Sequence, residues 1–287
     1  MGEFPSGGDL EGLRTELKRI GPMVVAFSGG ADSAFLAWVA TDTLGAAQVH
    51  CATAVSPSLA PEELADCRSL AAEWGLCYGE VETDELADPA YSANDGSRCF
   101  HCKSTLMEAL GPMAAGAGAV AGGTIVLGVN LDDLGDHRPG QQAALEAGAR
   151  FPLVAAGFTK SAVREWSRQL GLRTWDKPAA ACLASRVPYG TPVTLDTLNS
   201  VTRAESGLRS LGFRQLRVRH YGDTARIEVP PADLPAMVAR RDEVTAVVHQ
   251  AGYRYVTLDL DGFRSGNLND MLARSRHADQ PGSEAPR

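Results

Sequence analysis

No stretch of the 287-residue sequence reaches the ~18 uninterrupted apolar residues that a membrane-spanning helix requires, so no such span is expected. The start, Met1 to Asp9, lacks the basic opening and apolar core of a signal peptide, and the sequence predicts a cytoplasmic protein. Positive charge is in short supply. Lys and Arg total 27 against 35 Asp and Glu, a net charge of −8. An acidic chain is a poor default binder of a polyanion, because neutralising phosphates dominates such affinity. That balance favours a small-molecule substrate over nucleic acid. Cysteines number six, and in a reducing compartment they read as thiols, metal ligands or nucleophiles rather than disulfides.

What is present is ordinary for a soluble globular protein, with 44% hydrophobic and 22% charged residues. The length suits one large α/β domain and a smaller one. The apolar run Met23–Ala26 leads into Phe27-Ser28-Gly29-Gly30-Ala31-Asp32-Ser33 and then into the apolar stretch Ala34–Val39. This reads as strand, tight turn and helix. Two glycines let backbone N–H groups converge without Cβ interference, and the following helix aims its positive end at the same point. Ser28 and Ser33 add hydroxyl donors, and Asp32 can orient a magnesium ion or its water. The loop has no lysine, which excludes the Walker A arrangement.

Helices are expected at Leu10–Ile20, from the loop to about Leu44, Pro61–Trp74, Cys102–Leu110, Gln141–Glu146 and Ser161–Leu170. Strands are expected at Met23–Phe27, Gln48–Val55, Gly75–Glu82, Thr124–Val129 and a short Phe151–Val154, with an irregular connection over Ala87–Arg98. Strands alternating with helices imply a mostly parallel sheet covered on both faces, with ligands beyond the strand carboxyl ends. After Tyr189-Gly190-Thr191-Pro192 the pattern changes to helix Thr194–Leu211, strands Gln215–His220 and Thr224–Val229, helix Leu234–Ala251 and strand Tyr253–Leu260. The expected division is a first domain over 1–186, a smaller α/β domain over 187–272 and a disordered tail over 273–287.

Four constellations carry chemistry. Cys99 and Cys102 form a CxxC between Arg98 and Lys103 at a helix start, where thiolates are favoured. Two thiols cannot close a structural zinc site, His101 is awkwardly placed as a third ligand, and two packed thiols are the plainer alternative. Cys182 follows three alanines and precedes Ser185 and Arg186, which permits close substrate approach and anion stabilisation, although a lone cysteine is commonly an inert buried thiol. Cys51, Cys67 and Cys77 read as core residues. Asn130, Asp132, Asp133 and Asp136 crowd one turn, either as hard-oxygen ligands for Mg²⁺ on pyrophosphate or as caps for the next helix and partners of Arg138. Arg217 and Arg219 share a strand face by the period of two, as a fork for phosphate or carboxylate or as a solvated face.

The SGGxDS turn, with Arg98–Lys103, Gly128–Gly140, Lys177–Gly190, Leu216–Glu228 and Asp259–Asn269, resembles the PP-loop ATP pyrophosphatases and, among them, the LarE-type ATP-dependent sulfur transferases of nickel-pincer (lactate racemase) cofactor synthesis. The turn is shared with NAD synthetases, GMP synthetases and tRNA thiolases, whereas Ala-Cys-Leu-Ala-Ser-Arg and DLDGFRSG are more specific. The resemblance implies an enzyme that adenylates the carboxylates of pyridinium-3,5-biscarboxylic acid mononucleotide with MgATP, releases pyrophosphate and AMP, and leaves thiocarboxylates. It implies ATP contacts from Ser28, Gly29, Gly30, Asp32, Ser33, Ser56, Lys103, Gly128, Asn130, Asp133 and Arg138. Cys182, Ser185 and Arg186 would be catalytic, and Arg217 and Arg219 would hold the mononucleotide phosphate. In single-cysteine members the thiol matching Cys182 is sacrificed and ends as dehydroalanine. Here Cys99, Cys102 and Cys182 match the three-cysteine variant, whose [4Fe–4S] cluster carries the donor sulfide, so the sulfur source stays open between the two. The resemblance further implies a homo-oligomer of the family's hexameric kind and a downstream nickel-inserting enzyme. A tRNA thiolase and an amide-forming enzyme of the NAD-synthetase kind are the alternatives.

Overall fold

The computed structural model describes residues 8–117, 122–135 and 139–264. Contacts divide the chain into two units, one of 1–91 with 97–181 and one of 92–96 with 182–287. The boundary therefore falls between Ala181 and Cys182, ahead of the expected 186, and residues 92–96 group with the second unit.

The first unit is built on four parallel strands in the order β3-β2-β1-β4, comprising β1 (Met23–Ala26), β2 (Val49–Val55), β3 (Cys77–Glu82) and β4 (Thr124–Leu127). The run Met23-Val24-Val25 is apolar throughout because both faces are covered. Met23, Val25, Val49, Cys51 and Val126 pack on one side against α1 (Leu10–Ile20), α2 (Ala31–Leu44) and α3 (Pro61–Trp74). Val24, Ala52, Ile125 and Leu127 pack on the other side with Met107 and Leu110, past the short α4 (Pro89–Ser92), on α5 (Arg98–Pro112), and with Ala144 of α6 (Pro139–Glu146). The chain leaves β1 toward β2 on one side and returns as β4 on the other, so the switch point lies between β1 and β4. In open α/β sheets, the crevice at the carboxyl ends beside such a point is where ligands bind.

Two local expectations change. Phe151–Val154 is not a strand: Pro152 opens the short helix α7 (Pro152–Ala155), and strand character is limited to one bridge between Val126 and Arg150. Proline suits the first helical turn because its missing N–H has no partner there anyway. Helix α5 starts at Arg98 rather than Cys102, which places both CxxC cysteines in its opening turns. The first unit closes with α8 (Lys160–Gln169), capped by the Thr159 hydroxyl.

In the second unit, α9 (Leu195–Ser210) precedes a mixed sheet of β5 (Arg217–Tyr221), β6 (Thr224–Glu228) and β7 (Tyr255–Leu258). Strands β5 and β6 are antiparallel, and β6 and β7 parallel. The expected helix Leu234–Ala251 is two, α10 (Leu234–Ala239) and α11 (Arg241–Gln250), with the break at Arg240. Ala204, Leu208, Val244 and Val248 cover Val218, Ala225 and Ile227. Arg217 and Arg219 flank Val218 on the strand and therefore point to the opposite face.

Candidate active site

The apolar strand β1 delivers the chain into the turn Phe27–Gly30 at the carboxyl edge, and α2 starts at once. Gly29 sits at φ +66°, a left-handed conformation that glycine adopts without penalty. Among the described residues no side chain caps the α2 N-terminus at Gly30, and that positive end suits an outside acceptor. Ser33 braces the turn from within: its Oγ accepts from the Ser28 amide at 3.2 Å, lies 3.0 Å from the Ser28 hydroxyl and donates to the Gly30 carbonyl at 3.2 Å. Ser33 is buried and Ser28 exposed, so Ser28 is the hydroxyl open to a ligand.

Gly128, directly after β4, supports this turn by its lack of a side chain. A methyl group there would stand 2.7 Å from the Ser33 amide nitrogen and 2.9 Å from the Asp32 carbonyl carbon, both backbone atoms that no rotamer can move. Gly128→Ala is expected to cost about 1–3 kcal/mol through the forced shift of β4 against α2, as read by thermal denaturation. Unchanged stability would refute that tight fit.

The turn after β4 reaches Asp32 from the other side. Asn130 Nδ2 donates to Asp32 Oδ1 at 3.1 Å, and Lys160, the first residue of α8, pairs with Asp32 Oδ2. Asp133 accepts from the Asn130 amide at 3.2 Å, and Asp132 accepts from the Lys160 amide at 2.7 Å. These two carboxylates thus cap backbone groups. Asp136 and Arg138 lie outside the described residues. Ser56 follows β2 on the same edge, 2.9 Å from the Ser58 hydroxyl. Lys103 lies on α5, where its Cγ would meet a methyl group placed on Gly140 at 2.8 Å.

Cys99 is exposed and Cys102 half-buried, one helical turn apart, and neither forms a disulfide. His101 turns to Asp88, with Nδ1 2.9 Å from the carboxylate. By contrast, burial pushes Cys51 up to about 12 and Cys67 up to about 11, so they stay protonated core thiols. Cys77, half-buried, has its sulfur 3.3 Å from His50 Nδ1. Among the described residues, no three His, Cys, Asp or Glu side chains converge as a metal site.

In the second unit, Cys182 is exposed at the head of a short 3₁₀ turn, Leu183–Arg186. The Ser185 amide donates to the Cys182 carbonyl at 2.9 Å, and an Arg186 N–H donates to the same carbonyl at 3.2 Å. Arg186 is itself clamped by Glu205, with Nε to Oε1 at 2.8 Å and Nη2 to Oε2 at 3.1 Å. Arg219 donates to the Ser185 carbonyl at 2.8 Å and forks onto Glu228 with both contacts at 3.0 Å. Both carboxylates are fully buried. Arg186, expected from the sequence to be catalytic, and Arg219, expected to hold the substrate phosphate, are therefore locked struts of the Cys182 turn.

Arg217 differs. It faces Glu228 across the strand pair, yet that carboxylate turns to Arg219 and Arg226. No carboxylate of the described residues lies within ion-pair distance of Arg217, which stacks on the Phe263 ring at 4.6 Å. Burial, with the charges of Arg186 and Arg219, holds its guanidinium below the usual range. Glu228 and Glu205 still add favourable charge from a distance, and Arg217 Nη1 donates to the Arg264 carbonyl at 3.4 Å. Among the described residues no carboxylate pairs with it directly, so it keeps donors that suit an anion.

The sequence reading missed Lys160, Glu205 and Glu228. Glu205 was the most findable, because it breaks the apolar face Leu198, Val201, Leu208 of α9. Lys160 lies 128 residues from Asp32, a distance no local pattern bridges.

No family model matches the chain. It is 45% identical over 267 residues to an uncharacterized protein of Synechocystis, covering 92% of this chain and 98% of that one. It is 40% identical over 266 residues to the pyridinium-3,5-bisthiocarboxylic acid mononucleotide synthase of Lactiplantibacillus plantarum, covering 93% and 95%. An uncharacterized protein of Methanocaldococcus jannaschii is 24% identical over 243 residues, covering 85% and 91%.

Proposed function

The chain belongs to the LarE-type sulfur transferases, the family of the pyridinium-3,5-bisthiocarboxylic acid mononucleotide synthases, and from that premise we propose that it makes thiocarboxylates on a pyridinium mononucleotide for a nickel-pincer cofactor. Each conversion replaces a carboxylate oxygen with sulfur, and a carboxylate must first be activated. A substrate carboxylate oxygen attacks the α-phosphorus of ATP, the bond to the β-phosphate oxygen breaks, and pyrophosphate leaves. The acyl adenylate then loses AMP to a sulfur nucleophile.

The observation that carries ATP use is the uncapped head of α2 behind the Ser28-Gly29-Gly30 turn. Its backbone amides and helix dipole suit a departing pyrophosphate, and Ser28 adds an exposed donor. Asp32, a hard-oxygen group partly neutralised by Lys160, suits a water of the accompanying magnesium ion. Arg217 would take the mononucleotide phosphate. Arg219 would add fixed positive charge while bracing the Cys182 turn.

Thiolates are the donors a [4Fe–4S] cluster takes, and Cys99, Cys102 and Cys182, the first and last exposed, Cys102 half-buried and none in a disulfide, would be its protein ligands. When bound, such a cluster would supply sulfide at an iron without a protein thiol. The chain would work as a homo-oligomer and pass its product to a nickel-inserting enzyme.

The deciding assay supplies MgATP, sulfide and the pyridinium biscarboxylate mononucleotide to anaerobically prepared protein. AMP, pyrophosphate and a thiocarboxylate are expected together, and formation of ADP and phosphate would overturn the proposal.

A further inference from the structure

Lys177 lies near the end of the first unit, shortly before Cys182 in the chain, and was not among the site residues expected from the sequence. Its ammonium group donates to the Gly29 carbonyl at 3.1 Å, to Glu63 at 2.8 Å and to Asp66 at 2.6 Å. An ammonium has three N–H donors, and these contacts use all of them. Both carboxylates sit on α3, where Asp66 also pairs with Arg173 at 2.8 Å and Arg173 with Glu73 at 2.8 Å. Burial works against the Lys177 charge, but the bonds to Asp66 and Glu63 outweigh it and raise its pKa, so it is cationic at neutral pH.

The Gly29 carbonyl and the Gly30 N–H belong to one trans peptide plane and point in opposite directions. Drawing the carbonyl onto Lys177 therefore turns the Gly30 N–H the other way, and that N–H has no acceptor among the described residues. A Gly-Gly peptide rotates at little cost, and the rotated form would present a carbonyl oxygen where an anion is to bind.

We propose that Lys177 is a positioning residue for the pyrophosphate seat, fixing the Gly29–Gly30 peptide with its N–H toward the phosphates and not touching the ligand itself. The inference rests on the ATP reading above.

The test titrates magnesium and inorganic pyrophosphate into the full chain by calorimetry, using wild type, Lys177→Met and the triple variant Lys177→Met, Glu63→Gln, Asp66→Asn. The triple variant leaves no buried charge unpaired at this cluster, so thermal denaturation should find it folded. It also makes the surroundings more positive by one charge, so charge alone would strengthen binding, whereas loss of positioning weakens it. Both variants are expected to bind about 10- to 100-fold more weakly than wild type, the size of one charge-assisted hydrogen bond. A folded triple variant that binds as tightly as wild type, or more tightly, would overturn the positioning role and leave the ATP reading standing. A wild-type chain that binds no pyrophosphate would overturn the ATP reading itself.

Discussion

Cys182→Ala is expected to reduce thiocarboxylate formation to background while the chain keeps its fold. The side chain is exposed, and the turn beneath it is held through backbone carbonyls by Ser185, Arg186 and Arg219, so the substitution removes a thiol and no packing. Two chemistries share this outcome, and the companion variants separate them. If Cys182 gives up its own sulfur, its thiolate displaces AMP from the adenylate to form a thioester. Loss of the Cα proton then cleaves the Cβ–S bond, leaving the thiocarboxylate and a dehydroalanine at 182. The recovered wild-type chain would be lighter by hydrogen sulfide, and Cys99→Ala and Cys102→Ala would still make one product per chain. If the three thiols hold a cluster, each single variant loses both iron and activity, and wild-type mass is unchanged after turnover. Intact-mass spectrometry with iron and acid-labile sulfide analysis reads both. Full product formation by Cys182→Ala would remove the thiol from either mechanism.

Glu205→Ala is expected to have the largest effect on stability, about 3–5 kcal/mol, because it removes the fully buried carboxylate that the Arg186 guanidinium grips with two hydrogen bonds. Glu205 is fully buried and accepts from Arg186, from Arg209 at 2.8 Å and from the Val218 amide at 3.0 Å. Burial alone would raise its pKa, but the Arg186 charge and hydrogen bond, the Val218 amide and Arg209 reverse this and hold it below the usual carboxylate value. A carboxyl depressed in the folded state stabilises fully above its unfolded pKa, and that stabilisation fades as pH falls through the folded one. The gap between wild type and Glu205→Gln in urea denaturation should be flat above about pH 5 and narrow below it. A gap that widens on acidification would mean Glu205 is not the anionic partner of Arg186. Since Arg186 also holds the Cys182 carbonyl, the glutamine variant should lower kcat more than it raises KM for the mononucleotide.

Much of the first unit was legible because its signals are local. The apolar run before Ser28, the glycines after it and the apolar stretch following together dictate a buried strand, a left-handed turn and a helix. The period-two reading correctly put Arg217 and Arg219 on one face of β5. Where reading failed, two local signals competed: Pro152 started a helix inside a segment apolar enough for a strand, and Ser97–Arg98 opened α5 before the cysteines.

By itself the sequence determined the parallel α/β unit with its Ser-Gly-Gly turn, the second α/β unit, and which thiols and cations were candidates, because strand and helix periodicity and turn chemistry are encoded within a few residues. Only the tertiary structure decided what those groups touch. It joined Asp32 to Lys160, Lys177 to the Gly29 carbonyl, and Arg186 and Arg219 to buried glutamates, while among the described residues Arg217 has no directly paired carboxylate. Charge pairing depends on which side chains meet after burial, and contacts between residues far apart in the chain leave no periodic trace in it.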